Sequence, residues 1–400
     1  MKDLQHLIYF EQLLDEAANP LVLKAVEDGR HAVGYTCYHI PEVLLNLDNC
    51  FSVRLRAPRT GSMDISTYYM SNYLCGYTKA LVERGIEGGY GFLSAIAGGE
   101  TCSEMNRAYE HFELLELVQN EKFFVSFVDV PFKLTPHGLK HYEEQLRLKV
   151  LDELHSRYGA DVSDGAIRKA VAEHNEICRI LTRIGDLRKL PEPPITGYEY
   201  HVLCLASYCC PKDLIADKLR ETLEELLTRE PDPKPKHRAR IVIVGSEIDD
   251  PEFTKTVEES GALVVADRFC FGALPGRQEI ELTDDESALT QVCRFYMQSS
   301  QCARYMSREK IRERYDYVDK LVRDYHAEGI IYEQLKFCEF WGYERALASH
   351  VMTADYGIPT VCIDRQYTGS ASGQLRTRVQ AFVESLEIKA INREKAGAAK

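Results

Sequence analysis

The chain has 400 residues, 45% of them hydrophobic, with 62 acidic against 49 basic side chains and a formal net charge of −13. That length can bury more than one core, so two or three domains are expected, and the acidic balance works against a nucleic-acid or anionic-membrane surface, which Lys and Arg would have to supply. No apolar run approaches the roughly 20 residues that span a bilayer, and the thirteen cysteines read as thiols kept reduced in a cytoplasmic protein, because disulfide frameworks belong mainly to small secreted domains.

The first twenty residues, MKDLQHLIYFEQLLDEAANP, space apolar residues at helical intervals between acids and predict an amphipathic helix rather than a signal peptide. Strand-like runs follow at HAVGYT (His31 to Thr36), CFSVRLR (Cys50 to Arg56), FLSAIA (Phe92 to Ala97) and FFVSFVDV (Phe123 to Val130), with helical segments between them. Two of those helical segments open on cysteines, Cys75 in MSNYLCGYTKALVE and Cys102 in TCSEMNRAYEHFELLEL.

From about Thr135 to Pro231 the pattern is helical, in stretches such as HGLKHYEEQLRLKVLDELHSRYG and SDGAIRKAVAEHNEICRILTRIGDLRKL. The run PKPKHRAR (Pro233 to Arg240) is the one basic cluster, and its prolines read as a solvated linker at a domain boundary. Four more strand-like runs come next: IVIVGS (Ile241 to Ser246), ALVVADRF (Ala262 to Phe269), GIIYEQ (Gly329 to Gln334) and PTVCIDR (Pro359 to Arg365). Cys338 follows the third of these and precedes a helical stretch, as Cys102 does in the first half.

Strands alternating with helices predict an α/β protein of two doubly wound domains, each with a four-stranded parallel sheet, joined by a helical connecting region. The expected divisions are an N-terminal helical segment at 1–28, a first α/β domain at 29–134, a helical connector at 135–235 and a second α/β domain at 236–400. Open α/β sheets hold ligands at the carboxyl ends of their strands. Thiolates converging there from helix N-termini, where unpaired N–H groups stabilise negative charge, would suit an iron–sulfur cluster at the domain interface with one iron left free. Cysteine is also a common buried apolar residue. No CxxC pair or compact ferredoxin-like run accompanies these three, so spacing alone leaves a shared site open.

Five segments in order, GYTCYHIPEVLL, the Cys75 segment, GGETCSEMNRAYEHF, YEQLKFCEFWGYE and SGQLRTRVQAFVE, resemble the cluster-carrying subunits of the 2-hydroxyacyl-CoA dehydratase and benzoyl-CoA reductase family. The resemblance spans nearly the whole chain and implies one [4Fe-4S] cluster held by Cys75, Cys102 and Cys338. It departs from many relatives in lacking a proline beside Cys75 and in carrying Ser103 where they have aspartate. The implied reaction removes water from a 2-hydroxyacyl-CoA to give a 2-enoyl-CoA. One electron delivered to the thioester carbonyl makes a ketyl radical anion, which expels the hydroxyl, renders the β-proton acidic and later returns the electron. The implied partners are a paralogous second subunit forming a heterodimer and a separate ATP-dependent iron–sulfur activator, since no G-x-x-x-x-G-K-S/T run occurs here.

The loop after the first strand adds candidates. His39 could hydrogen-bond substrate or move protons, and Cys37 could be a fourth ligand, while the alternative is that Pro41 and Glu42 start a helix that His39 merely caps or packs against. Cys270, after the second strand of the second domain, is the best extra thiol near the crevice. Cys209 and Cys210 before Pro211, at what reads as the start of a helix, and Cys178, Cys204, Cys293 and Cys362, read as structural, and Trp341 as packing the helix start. GSASG leading into Arg376 and Arg378 could meet a CoA phosphate. Alternative functions are a benzoyl-CoA reductase-type subunit, a homodimeric double-cubane-cluster reductase of the same superfamily, and a non-enzymatic α/β binding protein.

Overall fold

In the computed structural model the described residues are 3–58, 60–232, 237–367 and 372–398. The β-branched and aromatic runs form eight strands among them: β1 His31–Tyr35, β2 Cys50–Arg54, β3 Leu93–Glu100, β4 Phe124–Asp129, β5 Ala239–Gly245, β6 Ala262–Phe269, β7 Gly329–Leu335 and β8 Thr360–Arg365. All neighbouring pairs are parallel, and nearly every residue of β2, β5 and β6 is buried, as expected where helices cover both faces of a sheet.

The first sheet has the order β2-β1-β3-β4 and the second β6-β5-β7-β8, the same permutation twice. The fold is α/β, with two parallel four-stranded sheets flanked by helices. In each sheet the connections change direction beside the first strand of the set, between β1 and β3 and between β5 and β7, the switch point outside which a ligand crevice opens.

The helices between the sheets start where the sequence supplies caps. Ser163 accepts from the Ala166 N–H ahead of the helix Asp164–Asp186, and Thr196 forms a capping box with Glu199 ahead of Gly197–Cys209. That second helix is buried along nearly its whole length. Gly197 sits against β6 so tightly that a Cβ there would lie 2.5 Å from the Val264 Cβ.

Core membership does not follow chain order. One face of the first sheet packs on Gly76–Ile86, Ser103–Leu114 and residues of the connecting helices from Ile177 to Leu226. The other face packs on Tyr142 to Val171 and also on Ala288 to Met297, a helix that follows β6. The second sheet is covered by Arg308–Asp324 and Glu339–Ala354 on one face and by Pro251–Glu259 and the C-terminal helix on the other.

Two local expectations change. Pro41 and Glu42 open only a 3-10 turn, Glu42–Leu45, because the Glu42 carboxylate is drawn inward by His174, Tyr35 and Lys212. Cys209 ends one helix instead of starting one, since Pro211 lacks the N–H to continue it and stands at the N-cap of Lys212–Thr228. Pro233 to Lys236 of the basic run lie outside the described residues, and Ala239 and Arg240 open β5. Among the described residues no helix is long and apolar enough to cross a membrane.

Candidate functional site

Cys75, Cys102 and Cys338 occupy the same structural position three times, as the N-cap residues of Gly76–Ile86, Ser103–Leu114 and Glu339–Ala354. None of the three uses its side chain to cap its helix, so each sulfur is left for another partner. The turns that lead into these helices are pinned. The Cys75 N–H donates to Glu104 Oε2 at 3.0 Å, and Gln334 Nε2 donates to the Cys338 carbonyl at 3.0 Å. Phe337, just before Cys338, holds φ at +72°, a left-handed conformation costly for an aromatic residue that persists only where surrounding structure imposes it.

The three thiols open into one cavity of about 1050 Å³ including its mouth, lined from both halves of the chain. Cys37 after β1, Cys270 after β6 and Cys302 after the helix Ala288–Gln298 line the same cavity, so six cysteines face it. Burial raises all six thiol pKa values. Cys102 is pushed up to about 11, against the opposing N–H groups of Met105 and Glu104, and Cys302 also to about 11, with Cys37 adding to the rise. At Cys75 the N–H groups of Tyr77 and Thr78 oppose burial, and at Cys338 that of Trp341 does. These helix-terminal donors would receive a thiolate if a metal displaced the proton.

The six thiols are soft sulfur donors, the chemistry that selects iron–sulfur centres. Among the described residues no three His, Cys, Asp or Glu side chains close around a single ion. The thiols stand around a wide cavity instead, an arrangement suited to ligands that bind separate irons of one cluster.

Residues 37–386 match the family model described as 2-hydroxyglutaryl-CoA dehydratase, D-component. The chain belongs to this family. It is 24% identical over 384 residues to the (R)-phenyllactyl-CoA dehydratase beta subunit of Clostridium sporogenes, covering 94% of this chain and 98% of that one. It is 21% identical over 390 residues to the (R)-2-hydroxyglutaryl-CoA dehydratase subunit beta of Acidaminococcus fermentans and 23% identical over 390 to the lactoyl-CoA dehydratase subunit beta of Anaerotignum propionicum, with 94% of this chain and 98% of each relative covered. These matches place the chain among dehydratase-type subunits.

In this member of the 2-hydroxyglutaryl-CoA dehydratase D-component family the remaining cavity groups differ sharply in character. His39 is 1% exposed, and burial with the Arg304 charge holds its ring well below the usual 6.5, so it is neutral. Its Nε2 lies 3.5 Å from Ser300 Oγ. Thr36 Oγ1 and Tyr109 OH share a hydrogen bond of 2.5 Å, and Thr101 Oγ1 donates to Cys37 Sγ at 3.5 Å.

Glu247, two residues beyond β5, has an Oε2 that is out of solvent and without a hydrogen-bond partner. Burial raises its carboxyl to about 7, with the Arg54 guanidinium 3.9 Å away opposing and Asp249 adding to the rise. Arg54 itself is wholly enclosed: Nε and Nη2 donate to the Thr36 carbonyl at 3.2 and 3.1 Å, Nη1 to the Cys270 carbonyl at 2.5 Å, and the guanidinium sits 3.9 Å over the Phe271 ring.

Neither Glu247 nor Cys302 stood out in the sequence. Glu247 does occupy a strand's carboxyl end, the one signal that could have found it. Cys302 sits in SSQCARY after a helix, where no strand marks a crevice. Cys178, Cys204, Cys209, Cys210 and Cys293 are buried in the core, Cys362 lies in β8, and Trp341 lines the cavity with Arg268 over its ring at 5.2 Å. Arg376 pairs with Glu259 at 2.7 Å and Arg378 donates to the Cys362 carbonyl, while Gly369 to Ala371 of GSASG lie outside the described residues.

Proposed function

We propose that this chain is the cluster-carrying subunit of a 2-hydroxyacyl-CoA dehydratase-type enzyme, with Cys75, Cys102 and Cys338 as ligands of a [4Fe-4S] centre. The observation that carries the reading is the threefold repetition of an N-cap cysteine with an unused thiol, drawn from both sheets into one cavity. The reaction converts a 2-hydroxyacyl-CoA to a 2-enoyl-CoA and water. When bound, such a centre supplies a single electron to the thioester carbonyl and, at the iron without a protein ligand, a Lewis acid.

The chain's own residues do the rest. The N–H groups of Tyr77, Thr78, Met105 and Trp341 hold the thiolate charge. Phe269, Leu274, Phe340, Trp341 and Met105 line the chamber with apolar surface that excludes water. Glu247 holds or releases a proton at Oε2 near neutral pH, the property required of the group that takes the β-proton of the acyl chain. His39, kept neutral, orients a polar atom of the substrate through one ring nitrogen and does not carry charge. Cys37 stands as a ligand candidate beside Thr101.

The beta-subunit names of the relatives support a paralogous second subunit in a heterodimer. Electrons would come from a separate ATP-dependent iron–sulfur activator, and thirteen free thiols suit the reducing cytoplasm. The test is turnover of a 2-hydroxyacyl-CoA by the chain with its partner subunit and activator, under strict anaerobiosis. Formation of the 2-enoyl-CoA that is abolished in Cys338→Ala supports the reading, and turnover unaffected by that change refutes it.

One observation favours a second reading. Cys37, Cys270 and Cys302 form a further set of three thiols on the same cavity, enough to hold a second cluster bridged to the first, as in a homodimeric double-cubane reductase. Iron content separates the two readings, at about four per chain for one cluster and about eight for a bridged pair.

A further inference from the structure

Arg268, on β6, carries a positive charge that the protein answers only in part. Its side chain is 2% exposed, and its Nη1 stands 3.7 Å from Glu344 Oε1, beyond hydrogen-bond reach. Glu344 is already committed: its two oxygens accept from Nε and Nη2 of Arg314 at 2.9 and 2.7 Å, the bidentate fork that satisfies a carboxylate. Arg268 Nη2 donates to the Gln301 carbonyl, while Nε and Nη1 have no acceptor. Two buried guanidinium groups therefore share one carboxylate, an excess of one positive charge.

The other buried carboxylate on the cavity wall does not redress the balance, because Glu247 lies against Arg54. Burial weakens the hold of Arg268 on its proton, Glu344 opposes that, and Arg314 adds to it. An enclosed charge with unspent donors is strongly unfavourable unless an anion completes it. Arg268 lines the same cavity as Cys270, Cys302 and Cys338, with Trp341 on its face.

We propose that Arg268 is the charge-compensating group of the cavity, donating its Nε–H and Nη1–H to sulfur of an anionic iron–sulfur centre held by the thiols around it. The inference rests on the cluster reading given above. Hydrogen bonds to cluster sulfur and nearby positive charge both raise a centre's reduction potential, so Arg268 sets how readily the centre accepts an electron.

The experiment is a reductive titration, followed by electron paramagnetic resonance, of anaerobically purified holoprotein carrying the wild-type residue, Arg268→Met or Arg268→Lys, with iron counted in each. Arg268→Met is expected to lower the ratio of reduced to oxidised centre at fixed solution potential about tenfold, which for a one-electron couple is about 59 mV. Arg268→Lys keeps the charge and is expected to fall between the two. Loss of iron in Arg268→Met with full iron in Arg268→Lys also supports the proposal. An unchanged potential in Arg268→Met with full iron overturns it, including the case in which only acyl-CoA binding weakens, which would assign the anion to the substrate. A wild-type chain that takes up no iron on reconstitution overturns the cluster reading and this inference together, whereas an iron-loaded wild type with an insensitive variant overturns this inference alone.

Discussion

Gly76 and Tyr367 meet across the two halves of the chain at a distance that no larger residue could share: a Cβ on Gly76 would lie 2.5 Å from the Tyr367 Cβ. Gly76 is the first residue of the helix that Cys75 caps, and Tyr367 follows β8. The Tyr367 hydroxyl donates to Asp249 Oδ2 at 2.5 Å and accepts from the Ala57 N–H at 3.1 Å, so the ring is held from both sides. The position of Cys75 in the cavity therefore depends on a contact made by the second half.

Gly76→Ala should push the helix start away from Tyr367, with a cost of about 1–3 kcal/mol from overpacking and partial or complete loss of bound iron. Iron content and a thermal melt on anaerobic protein check this. A full complement of iron with an unshifted melt would show that the contact relaxes without moving Cys75.

Cys75→Ala, Cys102→Ala and Cys338→Ala should each strip the visible chromophore. Cys209→Ala should keep it, because that thiol is buried away from the cavity and donates to the Arg54 carbonyl at 3.5 Å. Retention of full iron in any of the first three would sink that residue's assignment as a ligand.

Arg54 ties the Thr36 carbonyl of the first half to the Cys270 carbonyl of the second. Arg54→Lys supplies one point charge in place of that planar fork and should cost about 2–4 kcal/mol, since carbonyls lose buried donors. Denaturant midpoints of the two proteins decide it. A difference of a few tenths of a kcal/mol would mean that the tie is dispensable.

Glu42, His174 and Lys212 form a buried network beneath the Cys37 loop, with His174 Nδ1 3.1 Å from Glu42 Oε1 and Lys212 Nζ 3.3 Å from Glu42 Oε2. Burial opposes charge on both partners, yet Lys212 and His174 hold the Glu42 carboxyl below its usual 4.5, while Cys178 and Glu42 raise His174 from 6.5 to about 10. A raised folded-state value gives stability that is fully present below the ordinary 6.5 and is lost as pH climbs toward 10. The lowered Glu42 value gives stability present above 4.5 and lost as pH falls. Unfolding midpoints at about pH 6 and about pH 9 should differ in the wild type, and His174→Gln should flatten that alkaline slope. An equal slope in both proteins would contradict the assignment.

The eight strands were legible because β-branched runs alternate with helical periods; the repeated strand–cysteine–helix pattern put Cys102 and Cys338 at element boundaries, and Cys75 was legible as the residue that opens a helix. What the pattern could not carry is packing across the chain. The helix Ala288–Gln298 follows β6 in sequence but completes a core beneath the first sheet, and this fold-back delivers Cys302 to the cavity from a loop with no strand beside it. Arg268 reads simply as one more residue of β6. Its unspent donors appear only once Glu344, 76 residues later by number, is seen to give its hydrogen bonds to Arg314. Glu247 is likewise unremarkable until its buried Oε2 is found without a hydrogen-bond partner.

Iron and acid-labile sulfide counted per chain on protein purified strictly without oxygen test the central claim most directly, together with the visible spectrum. About four of each is expected from a single cluster on Cys75, Cys102 and Cys338, rising to about eight iron if the second set of thiols holds a bridged partner. A chain that remains free of iron after anaerobic reconstitution would contradict the assignment and reduce the cavity to a pocket lined by six thiols.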